Sequence, residues 1–308
     1  MGMLQTEKTH VSAKGFDLRQ PADALDILAT AQMGAAWSVR SALPAIARAS
    51  ELVAGAIASG GTLAYAAAGS SALMAMADAL ELPGTYGIPR DRIRIMIAGG
   101  LAALTDLAGA PEDDELQAAR DVAEAGLKAG DCLIAVSASG GTPYALAAAA
   151  AARARGATVI GIANNPGTRL LEMADVAICL PTPPEVIAGS TRMGAGTAQK
   201  IALNMLSTMM ATRLGHVHDG YMVNLNADNL KLRDRARRIV MAVADCSEDD
   251  AAAWLDRAGG SVKAAILMAA GAATPGAAQA LLEGAQFRLR PALSMLRGNA
   301  SSAQRNAS

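Results

Sequence analysis

Residues 132–155 read CLIAVSASGGTPYALAAAAAARAR. Cys132–Ser137 is a short, almost wholly apolar run, as a strand buried on both faces should be. A glycine- and hydroxyl-rich turn follows at Ser139-Gly140-Gly141-Thr142. Pro143 then opens an alanine-rich helix at a position where proline's missing N–H costs nothing. The uncharged span from Cys132 to Ala152 is long enough to cross a bilayer, but its central turn would leave backbone groups unsatisfied in lipid. The uncharged span Leu52–Ala77 is interrupted in the same way, by Ser59-Gly60-Gly61 and Gly69-Ser70-Ser71. Both read as strand, turn and helix of a folded domain, not as membrane spans.

Outward from this unit the pattern repeats. Apolar runs at Thr62–Ala68, Arg92–Ala98, Thr158–Ala163 and Val176–Leu180 read as further strands. Helical patterns lie between most of them, at Ser71–Leu80, Asp113–Lys128, Tyr144–Arg155 and Thr168–Met173. Strand alternating with helix predicts an α/β fold with a parallel sheet covered on both faces. Upstream, residues 22–58 carry helical periodicity, with Pro44 expected to end or kink a helix. Downstream, Thr197–Leu214 is apolar nearly all round and predicts a buried helix. Residues 230–244, 248–257, 261–271 and 275–284 read as a helical C-terminal subdomain, and the last dozen residues as a loose tail. The domain boundaries expected are 1–49 for an N-terminal helical segment, 50–215 for the sheet domain and 216–308 for the helical part.

Composition narrows the function. The 308 residues carry 27 basic and 28 acidic side chains, so there is no cationic excess to neutralise a nucleic-acid backbone. With 3% aromatic residues there are few platforms for stacking bases. Cys132, Cys179 and Cys246 are scattered, which fits neither a disulfide framework nor a zinc site. The polar N-terminus lacks a secretory apolar segment, and a reducing cytoplasm is expected. His216 and His218 have no third ligand near them in sequence, so no metal is expected.

In open parallel sheets ligands bind at the carboxyl ends of strands, beside helix N-termini. Two such ends carry hydroxyl-rich loops, Ala67-Ala68-Gly69-Ser70-Ser71 and Ser137 through Pro143. Neither is a Walker loop nor a G-x-G-x-x-G turn. A third loop, Pro184–Thr197, gathers Glu185, Ser190, Thr191, Arg192 and three glycines before the buried helix. Ordinary capped turns are the plain alternative for the first two loops.

The run Pro184–Thr208, PEVIAGSTRMGAGTAQKIALNMLST, closely resembles the signature of the N-acetylmuramic acid 6-phosphate etherases, members of the sugar isomerase (SIS) family. The resemblance continues through Ser139–Tyr144, Asn165–Thr168, Ala98–Gly100, Gly69–Gly87, Gln5–Lys8 and Gly259–Lys263, nearly the whole chain. It implies a three-layer α/β/α SIS domain with a helical C-terminal subdomain, working as a homodimer with sites near the subunit interface. It implies cleavage of the D-lactyl ether of an amino-sugar phosphate, with no cofactor, in cell-wall recycling. Glu81 falls on the family's acid/base position. Glu112 is the choice for the second carboxylate, with Asp113 as the alternative for that role. Ser70, Ser71, Ser137, Ser139, Gly140, Thr142, Glu185, Ser190, Thr191 and Arg192 are the expected substrate contacts. Three positions depart from the family. Leu73 and Gly141 stand where arginine is usual, and Gly194 where lysine is common. Loss of these cations keeps two other readings open, a non-catalytic sugar-phosphate-binding regulator and an aldose–ketose isomerase.

Overall fold

The computed structural model describes residues 4–107 and 109–306. Five parallel strands form one sheet: β1 (Leu63–Ala67), β2 (Ile93–Ile97), β3 (Cys132–Ser137), β4 (Thr158–Ala163) and β5 (Val176–Cys179). Each lies within an apolar run of the sequence. Their order is β2-β1-β3-β4-β5. The chain therefore reverses direction of growth between β1 and β3, which creates a crevice outside the carboxyl ends of those two strands.

Seven helices belong with the sheet: α1 (Pro21–Ser38), α2 (Leu43–Ala58), α3 (Gly69–Tyr86), α4 (Glu115–Glu124), α5 (Pro143–Ala154), α6 (Arg169–Met173) and α7 (Gly194–Arg213). On one face Ala64, Leu133, Ala135 and Val159 pack with Val122 of α4, Ala148 of α5 and Leu170 of α6. Ala145, Ala148, Ala149 and Ala152 of α5 are all fully buried, so the alanine run lets this helix lie close against the strands. Side chains alternate across a strand, and Tyr65, Ile134 and Ile160 face the other way, where α2 packs. This is an α/β/α arrangement. On that second face the buried Asp78 of α3 accepts hydrogen bonds from Tyr65 Oη (2.9 Å), Asn204 Nδ2 (2.8 Å) and Ser207 Oγ (2.8 Å). The carboxyl thus ties β1, α3 and α7 together, and burial raises its pKa above the ordinary carboxylate value.

The helical stretch expected over residues 22–58 is two helices, parted by a 3-10 turn at Val39–Ala42. Pro44 sits in the first turn of α2. It opens the second helix and does not interrupt the first, because no intrahelical N–H is needed there. By length and composition Pro21–Ala58 is apolar enough to cross a bilayer, but the 3-10 turn divides it.

The chain divides into two compact units, one comprising Met1–Leu80 with Arg90–Met209, the other Glu81–Pro89 with Met210–Ser308. Within the second lie a short hairpin, β6 (Val217–His218) with β7 (Tyr221–Met222), and helices α8 (Leu230–Ala244), α9 (Glu248–Arg257), α10 (Val262–Ala269), α11 (Pro275–Gly284) and α12 (Leu289–Asn306). Asn229, Ser247, Ser261 and Thr274 each cap a helix start through the side chain. Such caps satisfy N–H groups that would otherwise lack partners. Val240, Ala251, Ala265, Leu267 and Ala292 form the fully buried centre of this unit. Lys263 is buried beside it and donates to the Phe287 carbonyl at 2.9 Å. Burial lowers its pKa to about 8. His216 is held neutral, with a pKa of about 4, by burial first and the Lys263 charge second. The backbone of α12 stays helical through residues 298–306, where composition predicts a loose tail. Gly298 is the weakest helix former in this stretch, and alanine, glutamine and arginine within it favour helix.

Candidate active site

A polar hollow of about 330 Å³ opens at the crevice between β1 and β3. From the loop after β1 it takes Gly69, Ser70 and Ser71, and from the loop after β3 it takes Ser139 and Thr142. These loops lead directly into α3 and α5. First-turn N–H groups of a helix have no intrahelical partner and carry partial positive charge. Neither first turn contains an acidic residue. Two helix starts and the four hydroxyls of these two loops thus border one small cavity, an arrangement suited to a phosphoryl group.

The loop after β3 is braced from within. Ser137 Oγ lies 2.8 Å from Thr142 Oγ1 and accepts from the Gly140 N–H at 3.0 Å. Ser139 Oγ accepts from the Gly141 N–H at 3.2 Å. Gly140 has φ +68°, and a Cβ there would overlap the Thr168 side chain. Ser137 and Gly140 therefore shape the loop, while Ser139 and Thr142 face the cavity.

Glu112 also lines the hollow and is half-buried. Burial first, and the neighbouring Asp113 charge second, raise its carboxyl pKa. Gly69 has φ +54°, a conformation that favours glycine, and a Cβ there would stand 2.6 Å from Glu112 Oε1, so the glycine leaves room for that carboxyl. Asp113 is exposed and is not part of the lining. Of the third loop, Thr191 and Gly189 reach the cavity. Ser190 and Arg192 do not line it, and Arg192 is exposed. Glu185 is buried, and its two oxygens accept from the N–H groups of Gly194 (2.9 Å) and Ala195 (2.8 Å) at the start of α7. Its carboxylate offsets the dipole of α7 and fixes the loop that carries Thr191. Replacing Glu185 with glutamine is expected to lower stability by about 1–2 kcal/mol in chemical denaturation, since an amide nitrogen cannot accept from either N–H.

Glu81 lies on α3, eleven residues beyond Ser70 in sequence, and belongs to the second of the two units. It is exposed and does not line the hollow of its own chain. Two lining residues come from a segment not singled out for the site, Thr6 and Glu7. Their sequence signal is confined to the short match at Gln5–Lys8. Among the described residues no group of three or more His, Cys, Asp or Glu is placed to hold a metal. A larger hollow, about 520 Å³, opens in the helical unit between Leu230, Arg233 and Leu255, and none of the loop motifs reaches it.

Comparison with known proteins agrees with this architecture. Residues 37–164 match the SIS domain. A structure described as a phosphosugar isomerase involved in capsule formation from Bacteroides fragilis NCTC 9343 superposes with a TM-score of 0.51 at 21% identity, covering 67% of this chain and 98% of that one. The chain is thus a SIS-domain protein. The N-acetylmuramic acid 6-phosphate etherase of Deinococcus radiodurans is 43% identical over 86% of this chain and 87% of its own length. That of Symbiobacterium thermophilum is 47% identical over 75% and 77%. The chain belongs to the N-acetylmuramic acid 6-phosphate etherase family.

Proposed function

We propose that this protein is a carbon–oxygen lyase that cleaves the D-lactyl ether of N-acetylmuramic acid 6-phosphate, giving N-acetylglucosamine 6-phosphate and D-lactate. One observation carries the reading: in a chain of this family, a half-buried carboxyl with a raised pKa, Glu112, lines a hydroxyl-rich hollow at two helix starts. Ring opening exposes an aldehyde that acidifies the C2 proton. A carboxylate takes that proton, the C3–O bond breaks and lactate departs with the electron pair. The departing oxygen of lactate takes up a proton, water adds its oxygen to C3 and gives up a proton in its place, and the carboxyl returns its proton to C2. Elimination and hydration leave the oxidation state of the sugar unchanged, so the chemistry calls for no redox cofactor.

The phosphoryl group belongs at the starts of α3 and α5, with Ser70, Ser71, Ser139 and Thr142 as donors. Glu112 is placed to activate water or hold the C2 proton, tasks suited to a carboxyl with a raised pKa. Glu81, at the family's acid/base position, is exposed, and we assign it to the hollow of a second copy in a homodimer. Leu25, Met33 and Trp37 of α1 are exposed and spaced to share one face, which gives such a dimer apolar surface to bury. The three free cysteines fit a cytoplasmic setting, in amino-sugar recovery from cell-wall material.

The test is direct. Purified protein incubated with N-acetylmuramic acid 6-phosphate is expected to release D-lactate and N-acetylglucosamine 6-phosphate in equal amounts. Binding of the sugar phosphate without lactate would move the assignment to a regulator, for which the absent cations at Leu73, Gly141 and Gly194 would be the reason. Exchange of the C2 hydrogen without lactate would move it to an isomerase.

A further inference from the structure

The segment before α1 crosses the site as a strap. Gln5–Glu7 forms a 3-10 turn, and Thr6 within it is buried. Asn165, at the carboxyl end of β4, is 1% exposed and spends its whole side chain there. Its Oδ1 accepts from the N–H of Gln5 (2.6 Å) and of Thr6 (3.3 Å), and its Nδ2 donates to Thr6 Oγ1 (3.1 Å) and the Ala138 carbonyl (2.9 Å). The Gly189 N–H adds a bond to the Thr6 carbonyl at 3.3 Å. Undocking the strap would strip a buried amide of three of its four hydrogen bonds, so the docked form is favoured.

The strap ends at the hollow. Thr6 and Glu7 both line it, together with the serines of the β1 and β3 loops. Glu7 is therefore a second carboxylate, besides Glu112, that one chain brings to this cavity. A carboxylate repels phosphate and lactate, and it accepts hydrogen bonds from neutral donors. Hydroxyls and the acetamido N–H are the neutral donors of the substrate proposed above.

We infer that Glu7 is a substrate-orienting residue: it accepts a hydrogen bond from a hydroxyl or amide N–H of the sugar and turns the phosphoryl group toward the starts of α3 and α5. Docking by Asn165 sets its position. This rests on the reading of the hollow as a sugar-phosphate site, and it assigns Glu7 no proton transfer.

Binding and turnover separate the two ideas. N-acetylglucosamine 6-phosphate and inorganic phosphate are titrated into the parent protein and into Glu7→Ala, with lactate release measured in parallel. Glu7→Ala is expected to bind the sugar phosphate about tenfold more weakly, the worth of one charge-assisted hydrogen bond. Its affinity for inorganic phosphate is expected to be unchanged or higher. Asn165→Ala is expected to reproduce the sugar-phosphate loss, with its folded fraction checked by thermal melting. Unchanged or tighter sugar-phosphate binding by Glu7→Ala overturns the inference, as does an equal loss for both ligands. A parent protein that binds the sugar phosphate but releases no lactate defeats the lyase reading alone, and the Glu7 comparison still decides the orienting role.

Discussion

Glu81→Gln and Glu112→Gln are each expected to release D-lactate roughly 10²–10⁴-fold more slowly than the parent protein, the range for removing one acid–base group. Both positions are on display to solvent or half-buried, so neither change should cost appreciable stability. A mixture of the two inactive proteins, unfolded and refolded together or exchanged at low concentration, is expected to recover about a quarter of parental activity. The arithmetic follows from the dimer proposed above, in which each hollow would take Glu112 from one chain and Glu81 from the other. Half of the dimers would be mixed, and each mixed dimer would have one intact site and one doubly substituted site. No recovery would place both carboxylates in the hollow of a single chain and overturn the two-chain assignment.

The pH profile offers a second readout on the same residue. The pKa of Glu112 is raised by burial and by the Asp113 charge, and a carboxyl acting as base works only once deprotonated. The acidic limb of kcat/KM is expected to lie above the ordinary glutamate value, and Asp113→Asn should move it down by removing the second cause. The same substitution at a residue outside the lining would leave turnover at the optimum unchanged.

How far the sequence discloses this site depends on how local each feature is. The strands are legible because a parallel sheet buried on both faces leaves continuous apolar runs, as in Cys132–Ser137 and Thr158–Ala163. The hydroxyl loops are legible because turn chemistry and helix starts lie within a few residues of one another. The division of the first helical stretch is less so: Pro44 looks the same in sequence whether it ends one helix or begins the next, and what decides is the 3-10 turn just before it. Glu185 shows the limit most plainly. A carboxylate ahead of a glycine-rich helix start has one appearance for two jobs, ligand contact or helix cap, and only the distances to Gly194 and Ala195 identify the cap. Glu7 depends on bonds between residues about 160 positions apart, for which local periodicity carries no information.

The absent cations can be restored one at a time, and the structure says where. Gly141 is exposed, its φ is not positive, and a Cβ there would meet nothing closer than Ser139 Oγ at 3.9 Å. Its own N–H donates to Ser139 Oγ, a bond that uses no side-chain atom of residue 141 and survives substitution. Both neighbours in the loop, Ser139 and Thr142, line the hollow, so an arginine here projects from the loop that bounds the anion site. Gly194 is different. A Cβ there would stand 3.0 Å from Glu185 Oε2 and 3.2 Å from the Ala35 Cβ, tight enough that the helix cap must give. Gly141→Arg is therefore expected to tighten binding of the sugar phosphate roughly 10- to 100-fold, the contribution of a charge-assisted, bidentate contact to phosphate. The gain should shrink as salt is raised, because the new contact is solvent-exposed. Gly141→Ala is expected to change affinity less than about twofold, which separates the charge from the added Cβ. Gly194→Lys is expected to destabilise the fold before it helps the ligand, since the Glu185 carboxylate already occupies that space. An arginine at 141 that leaves sugar-phosphate affinity unchanged would mean that the phosphoryl group binds away from the β3 loop, and the hydroxyls of Ser139 and Thr142 would then lose their assigned ligand.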